Sequence, residues 1–220
     1  MTTLREQMVK CCVCGEFSDH IAIGSTNTFG SADLDTRPPE MLRSTIRYWV
    51  QRCPACGYCA ADLSEGHDNV SELVISNTYQ NIIKNDAMPK TAASFLALSY
   101  EKQQQQKFAE SAWCAIRAAW MCDDANDNVS AVTCRENAVS MIATANALSQ
   151  DIADQAGASE AITIDLMRRA GMRRQALELA EKTRVQEIDQ TIQEVIDYEI
   201  RLINRNDVDG HTISEAFDTE

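Results

Sequence analysis

Two Cys-x2-Cys-Gly turns, Cys11–Gly15 and Cys53–Gly57, constrain this chain more than any other feature. Two cysteines three apart on a tight turn can aim both sulfurs at one ion. Two such turns complete a tetrahedron with metal–sulfur distances of ~2.3 Å. Glycine after the second cysteine supplies the positive φ such a turn needs, and the turn's N–H groups then face the thiolates. Pro54 stiffens the second turn. Nine cysteines stand at positions 11, 12, 14, 53, 56, 59, 114, 122 and 134, and only two pairs give matching turns. Cys12 has no cysteine three positions on, and Ala60 rather than glycine follows Cys59. The expected ligands are therefore Cys11, Cys14, Cys53 and Cys56. Zinc is the expected metal on ligand type and closure, although the 38 residues between the pairs exceed the usual short ribbon. Iron held as in rubredoxin is the second candidate. Four thiolates leave no open coordination position, so the metal would be structural. Cys12 and Cys59 are spare thiols. They are read as small packed hydrophobes, with redox sensing as the alternative.

An odd cysteine count fits a reducing cytoplasm better than a disulfide framework. Residues Met1–Met8 have no apolar core that could act as a signal peptide, and no apolar run approaches the ~18 residues of a membrane span. The expectation is a cytoplasmic protein with no membrane partner. The net charge of −13 argues against the whole chain as a nucleic-acid binder.

Composition changes near residue 66. Five of eight glycines and three of four prolines lie in residues 1–66, and none of the residues from His67 to Ala156 is glycine. Residues 1–66 carry net charge −2 and residues 67–220 carry −11. The expected fold class is α+β, mainly α. A small β zinc-ribbon module (1–66) would be followed by tetratricopeptide-like helical hairpins (67–206) and an acidic, loosely ordered tail (207–220).

In the first module, alternation over Thr45–Val50 predicts a strand, Phe17–Ile23 a weaker one, and Gly24–Glu40 a long loop. In the second, Asn69 with Glu72 reads as a helix N-cap and capping box. Pro89–Gln103, Lys107–Cys122, Val129–Leu148, Ser159–Ala170, Met172–Arg184 and Gln186–Asn204 read as helices. The last carries an apolar stripe interrupted by Glu199. Phe108–Ala119 and Gly171-x4-Ala176-x3-Ala180 each resemble the second helix of a tetratricopeptide unit, but no turn is visible between them, so an irregular stack of hairpins is expected.

His20, His67 and His211 sit in no recognisable catalytic motif, and no phosphate-binding glycine loop occurs. The chain reads as a non-enzymatic scaffold or adaptor that binds a protein or peptide on its helical surface, with its oligomeric state open. Its acidic helices should prefer basic segments. Exposed positions near Lys102–Lys107 and Arg168–Arg174 are candidate contacts, and Trp113 and Trp120 are read as core. Arg37, Arg43, Arg47 and Arg52 form a local basic cluster. The favoured reading docks them on the chain's own acidic helices, and nucleic-acid contact is the alternative.

Several pieces also resemble a bacterial family catalogued as a domain of unknown function. They are Cys11-Cys12-Val13-Cys14-Gly15, Asp33-Leu34-Asp35-Thr36-Arg37-Pro38, Tyr48-Trp49-Val50-Gln51-Arg52, Cys53-Pro54-Ala55-Cys56-Gly57-Tyr58, and the helical stretch from Ala112 to Asp124. The resemblance runs to about Arg184. It implies a zinc ribbon and helical repeats and supplies no activity. Cys12 stands where that family usually has proline, and Cys59 where it usually has alanine.

Overall fold

Each Cys-x2-Cys-Gly turn is the bend of an antiparallel hairpin. The computed structural model, which describes residues 1–218, places Cys11–Glu16 between β1 (Thr3–Lys10) and β2 (Phe17–Ser25). It places Cys53–Tyr58 between β3 (Gln51–Arg52) and β4 (Cys59–Ala60). The innermost pairs, Lys10 with Phe17 and Arg52 with Cys59, enclose equivalent turns. β1 is a strand the sequence did not announce, because Thr3, Arg5, Glu6 and Gln7 break any apolar alternation.

The remainder is mainly helical, so the chain is α+β, mainly α. Short helices α1 (Val70–Ile75) and α2 (Asn77–Ile83) lead into α3 (Lys90–Gln104), α4 (Phe108–Asp124) and α5 (Asn128–Ala147). Then come α6 (Ala158–Arg169), α7 (Arg173–Arg184) and α8 (Gln190–Asn204). From α3 onward each helix packs on the next. The alanines of α4 allow close approach: Ala112, Ala115, Ala118 and Ala119 are all fully buried. One apolar cluster runs from Val9, Ile46 and Tyr58 through Tyr79 and Phe95 to Ile116, Cys134 and Leu166. The hairpin module and the first helices therefore share a core. Trp120 lies in it, and half-buried Trp113 packs at its margin with Nε1–H donating to the Ile152 carbonyl. No helix among the described residues is long and apolar enough to cross a membrane.

The missing turns are present without glycine. α3, α4, α5, α6 and α8 all end in the same motif, with the residue two past the helix in the left-handed region. These residues are Gln106, Asn126, Ser149, Gly171 and Asn206. In each case the next N–H reaches back five residues, as from Asp127 to the Cys122 carbonyl at 2.9 Å and from Gln150 to Ala145 at 2.9 Å. This double closure satisfies the orphan carbonyls of a helix end. Only one of the five positions is glycine, so a glycine search could not find them. Ser149 is exposed, and a left-handed β-carbon costs roughly 1 kcal/mol. Ser149→Gly should therefore raise unfolding stability by about 0.5–1 kcal/mol. A urea midpoint that stays put or falls would contradict this.

Five expectations need correction. Thr45–Val50 is not a strand: Arg43–Tyr48 forms a 3-10 helix. There the Trp49 indole N–H donates to Thr45 Oγ1 at 3.1 Å, an i,i+4 contact that extended backbone could not make. Asn69 does not cap with its side chain; it is left-handed, and the working cap is Ser76, whose Oγ accepts from the Tyr79 N–H at the start of α2. The final helix begins at Gln190 rather than Gln186, because Asp189 accepts the Thr191 N–H at 2.8 Å.

The fourth correction is the tail. Asp207–Phe217 is tied to the fold by hydrogen bonds although about half of it is exposed, and only Thr219 and Glu220 lie outside the described residues. The Ile213 N–H donates to the Ala32 carbonyl at 2.8 Å, and Leu34 N–H to the His211 carbonyl at 2.9 Å. Arg168 anchors the tail from beneath. It is the fifth correction: expected to be a surface contact, it is 2% exposed. Its guanidinium donates to Asp165, to Glu199, and to the carbonyls of Asp207 and Asp209. Glu199, which interrupts the apolar stripe of α8, is fully buried against it.

Candidate metal centre

The hairpins bring four sulfurs together. Ligand atoms of Cys11, Cys14, Cys53 and Cys56 all lie within 4.8 Å of one another. Cys14 Sγ is 3.5 Å from Cys53 Sγ, and Cys11 Sγ is 3.7 Å from Cys56 Sγ. A tetrahedron with metal–sulfur bonds of ~2.3 Å has edges of about 3.8 Å. Those two edges match a single tetrahedral ion, and the other sulfur pairs lie close enough for the same four atoms to hold it. Each knuckle contributes one buried cysteine, Cys11 or Cys53, and one more accessible one, exposed Cys14 or half-buried Cys56.

The two turns are built alike. The Cys11 N–H donates to the Glu16 carbonyl and the Cys53 N–H to the Tyr58 carbonyl, both at 2.8 Å. Gly15 and Gly57 donate back to the carbonyls of Cys11 and Cys53 with φ of 78° and 81°. That curl aims N–H groups at sulfur. Burial opposes ionisation of Cys53, but the N–H groups of Cys56 and Ala55 and the neighbouring thiols outweigh it and bring the thiol down to about 7. Burial outweighs similar N–H contacts at Cys11 and raises it. Burial and sulfur–sulfur hydrogen bonds likewise push Cys56 up. A cation taken up by the four sulfurs replaces the protons they share.

Gly57 carries a second constraint. A β-carbon there would come within 2.1 Å of Ile83 Cδ1, whereas one at Gly15 meets nothing nearer than 3.9 Å. Gly15→Ala should cost only the left-handed penalty, about 1 kcal/mol. Gly57→Ala should cost about 2–4 kcal/mol, because overpacking the shared core adds to it. Equal losses in denaturant titrations of the two variants would refute the difference.

The spare thiols differ from each other. Cys59 is fully buried, donates to the Gly57 carbonyl at 3.3 Å, and has its thiol pushed up to about 11 by burial. Its N–H is held by the Tyr79 hydroxyl at 2.9 Å, which docks the second knuckle on α2. Cys12 is exposed, with its Sγ 3.1 Å from the Glu65 carbonyl. Its position matches that of Pro54 in the other turn, yet its N–H donates to the Leu63 carbonyl at 2.8 Å. Proline could not make that bond.

The arginine cluster is mostly committed within the chain. Arg37 pairs with Asp124 on α4. Arg43 reaches Asp33 and the Pro38 carbonyl, and Arg52 donates to the Ile83 carbonyl at 2.8 Å. Exposed Arg47 lies over the Tyr48 ring. Two residues before Arg37, Asp35 is fully buried. It accepts from the Trp120 indole at 2.7 Å and the Arg37 N–H at 3.1 Å. Burial lifts its carboxyl to about 6; Asp165 adds to this, and Arg169 and Trp120 oppose it. The Asp33–Pro38 stretch thus pins the long loop onto α4 and α6.

Fold and site together define a mainly helical protein with an N-terminal four-cysteine cluster that could hold a metal ion. The chain belongs to the bacterial family described as "Uncharacterized protein conserved in bacteria (DUF2225)", whose model matches residues 4–201. No curated protein and no solved structure matches it.

Proposed function

We propose that this chain is a non-enzymatic cytoplasmic scaffold. Zinc on Cys11, Cys14, Cys53 and Cys56 closes its N-terminal module, and its tetratricopeptide-like helical hairpins bind a protein or peptide with a basic segment. The observation that carries this reading is the closed thiol cluster: an ion there has four protein ligands and no position for a substrate. The shared core makes the metal module part of the helical framework rather than an appendage. The −11 charge over residues 67–220 supports a basic partner, through an attraction that salt should screen. Elemental analysis should find about one zinc per chain. Lysine-rich peptides should bind at low salt and lose affinity as salt rises. Iron as the main metal, or indifference to such peptides, would overturn the corresponding half of the proposal.

Exposure of Cys12 beside the cluster favours one second reading, a thiol switch at that residue. Peroxide should then oxidise Cys12 to a sulfenic acid, and attack by a neighbouring ligand thiolate with loss of water forms a disulfide, so two thiols should disappear for each zinc released. The burial of Cys59 speaks against it as the sensor.

A further inference from the structure

The seam between the knuckle module and α3 holds a recess with an unusual imbalance. It is a cavity of about 290 Å³ lined on one side by Tyr58, Ala60, Asp62 and Glu65, and on the other by Leu98 and Glu101, with His67 at its edge. Glu101 is 3% exposed, and its Oε2 is buried with no hydrogen-bond partner. Its Oε1 accepts from the Gln105 amide at 3.1 Å, and His67 Nε2 stands 3.4 Å away, too far for a good hydrogen bond. Lys102 and Lys107 also line the cavity, but their ammonium groups pair with Glu110 at 3.0 and 3.6 Å rather than with Glu101. Asp62 and Glu65 add further negative charge at the rim.

A buried carboxylate oxygen without a partner costs about 1–3 kcal/mol, and the natural remedy is a cation brought in from outside. Leu98 and Ala60 offer an apolar wall beside it, which suits the alkyl stem of a long basic side chain. Beyond His67 the surface continues as a second depression bordered by Asp68 and Glu72, so a chain entering the recess would run along further acidic groups.

We propose that this recess is the anchor site for one lysine or arginine side chain of a partner peptide, with Glu101 as its counter-ion. The choice of a peptide as the source of the cation rests on the scaffold reading; the recess itself rests on Glu101 and its surroundings. The site pairs a carboxylate acceptor with an apolar stem wall, so it should reject an uncharged side chain of the same length.

The test uses the full metal-loaded chain and two blocked tripeptides, Gly-Lys-Gly and Gly-norleucine-Gly. In amide-resolved NMR titrations, the lysine peptide should shift the signals of Ala60, His67 and Glu101, and the norleucine peptide should not. Glu101→Gln, which keeps an acceptor for Gln105, should weaken the lysine peptide by about tenfold or more. His67→Ala should tighten it, because the imidazole no longer competes for the carboxylate; a merely structural disturbance would not strengthen binding. Shifts that are absent, equal for both peptides, or unchanged in Glu101→Gln would overturn the recess. Tighter binding of free cadaverine than of the lysine peptide would overturn the peptide as occupant. If longer lysine-rich peptides still bind in a salt-dependent way while Glu101 proves irrelevant, the recess is wrong and the scaffold stands. If they do not bind at all, the scaffold reading fails on its own test.

Discussion

Cys53→Ser should strip the chain of stoichiometric metal and lower its thermal midpoint by on the order of 10 °C or more. Structural four-cysteine sites return roughly 10–16 kcal/mol of apparent binding energy to the fold, and one lost ligand forfeits much of it. Cys53 is fully buried, so the hydroxyl that replaces it also lacks the solvent it needs. Because Cys53, Tyr58, Tyr79 and Phe95 belong to one apolar cluster, the loss should spread into the first helices and broaden the transition. Cys59→Ser should keep the metal. Acid should mimic the first variant, since protons compete for the thiolates as pH falls. Full metal content in purified Cys53→Ser would refute the ligand assignment.

Arg168→Met should be the most damaging change among the helices, at about 3–5 kcal/mol, because it leaves buried charge uncompensated. Asp165 and Glu199 are 1% and 0% exposed, and the carbonyls of Asp207 and Asp209 would lose their donor as well. The pH dependence has a definite sign. Burial already raises the Glu199 carboxyl well above its ordinary value, and Asp165 adds to the rise while Arg168 opposes it. Without Arg168 the folded pKa climbs further above the unfolded one. The destabilisation is then full above the folded pKa and is relieved as pH falls below it. Urea midpoints of the variant should therefore recover relative to wild type between pH 7.5 and pH 5. A uniform loss at both pH values would show that the network contributes packing alone.

The knuckles were legible because their chemistry is local: residue type, spacing and a following glycine leave one pairing of the cysteines. The long helices were legible from buried spacing, most clearly Ala112, Ile116, Ala119 and Trp120 on α4. What failed was information held elsewhere in the chain. The N-terminus of α4 is capped by Gln150, which accepts from the Phe108 and Ala109 N–H groups at 2.7 and 3.2 Å. No inspection of residues near 108 reveals that. Thr45–Val50 alternates like a strand, yet Thr45 and Ile46 are its buried pair along with Val50, as adjacent residues on a helical turn can be. Glu199 was a usable signal: a carboxylate inside an apolar stripe points to a buried cation, and Arg168 on α6 is that cation. The tail looked disordered because its acidic residues were counted as charge. Asp207 and Glu215 in fact grip His211, and Glu215 also closes a capping box with Thr212.

The contact between the Ala32 carbonyl and the Ile213 N–H also bears on how the molecule is made. A polypeptide emerges from the ribosome at roughly 5–20 residues per second, so the interval between synthesis of Ala32 and of Ile213 is about 10–35 s. Throughout that time the Gly24–Glu40 loop waits without the strand-like partner that finally holds it, and Arg168 waits without the carbonyls of Asp207 and Asp209. Residues that lie side by side in the finished molecule are thus made far apart in time. Closing of that loop is therefore a late event, set by the appearance of the segment after α8 rather than by the folding of the hairpins beside it.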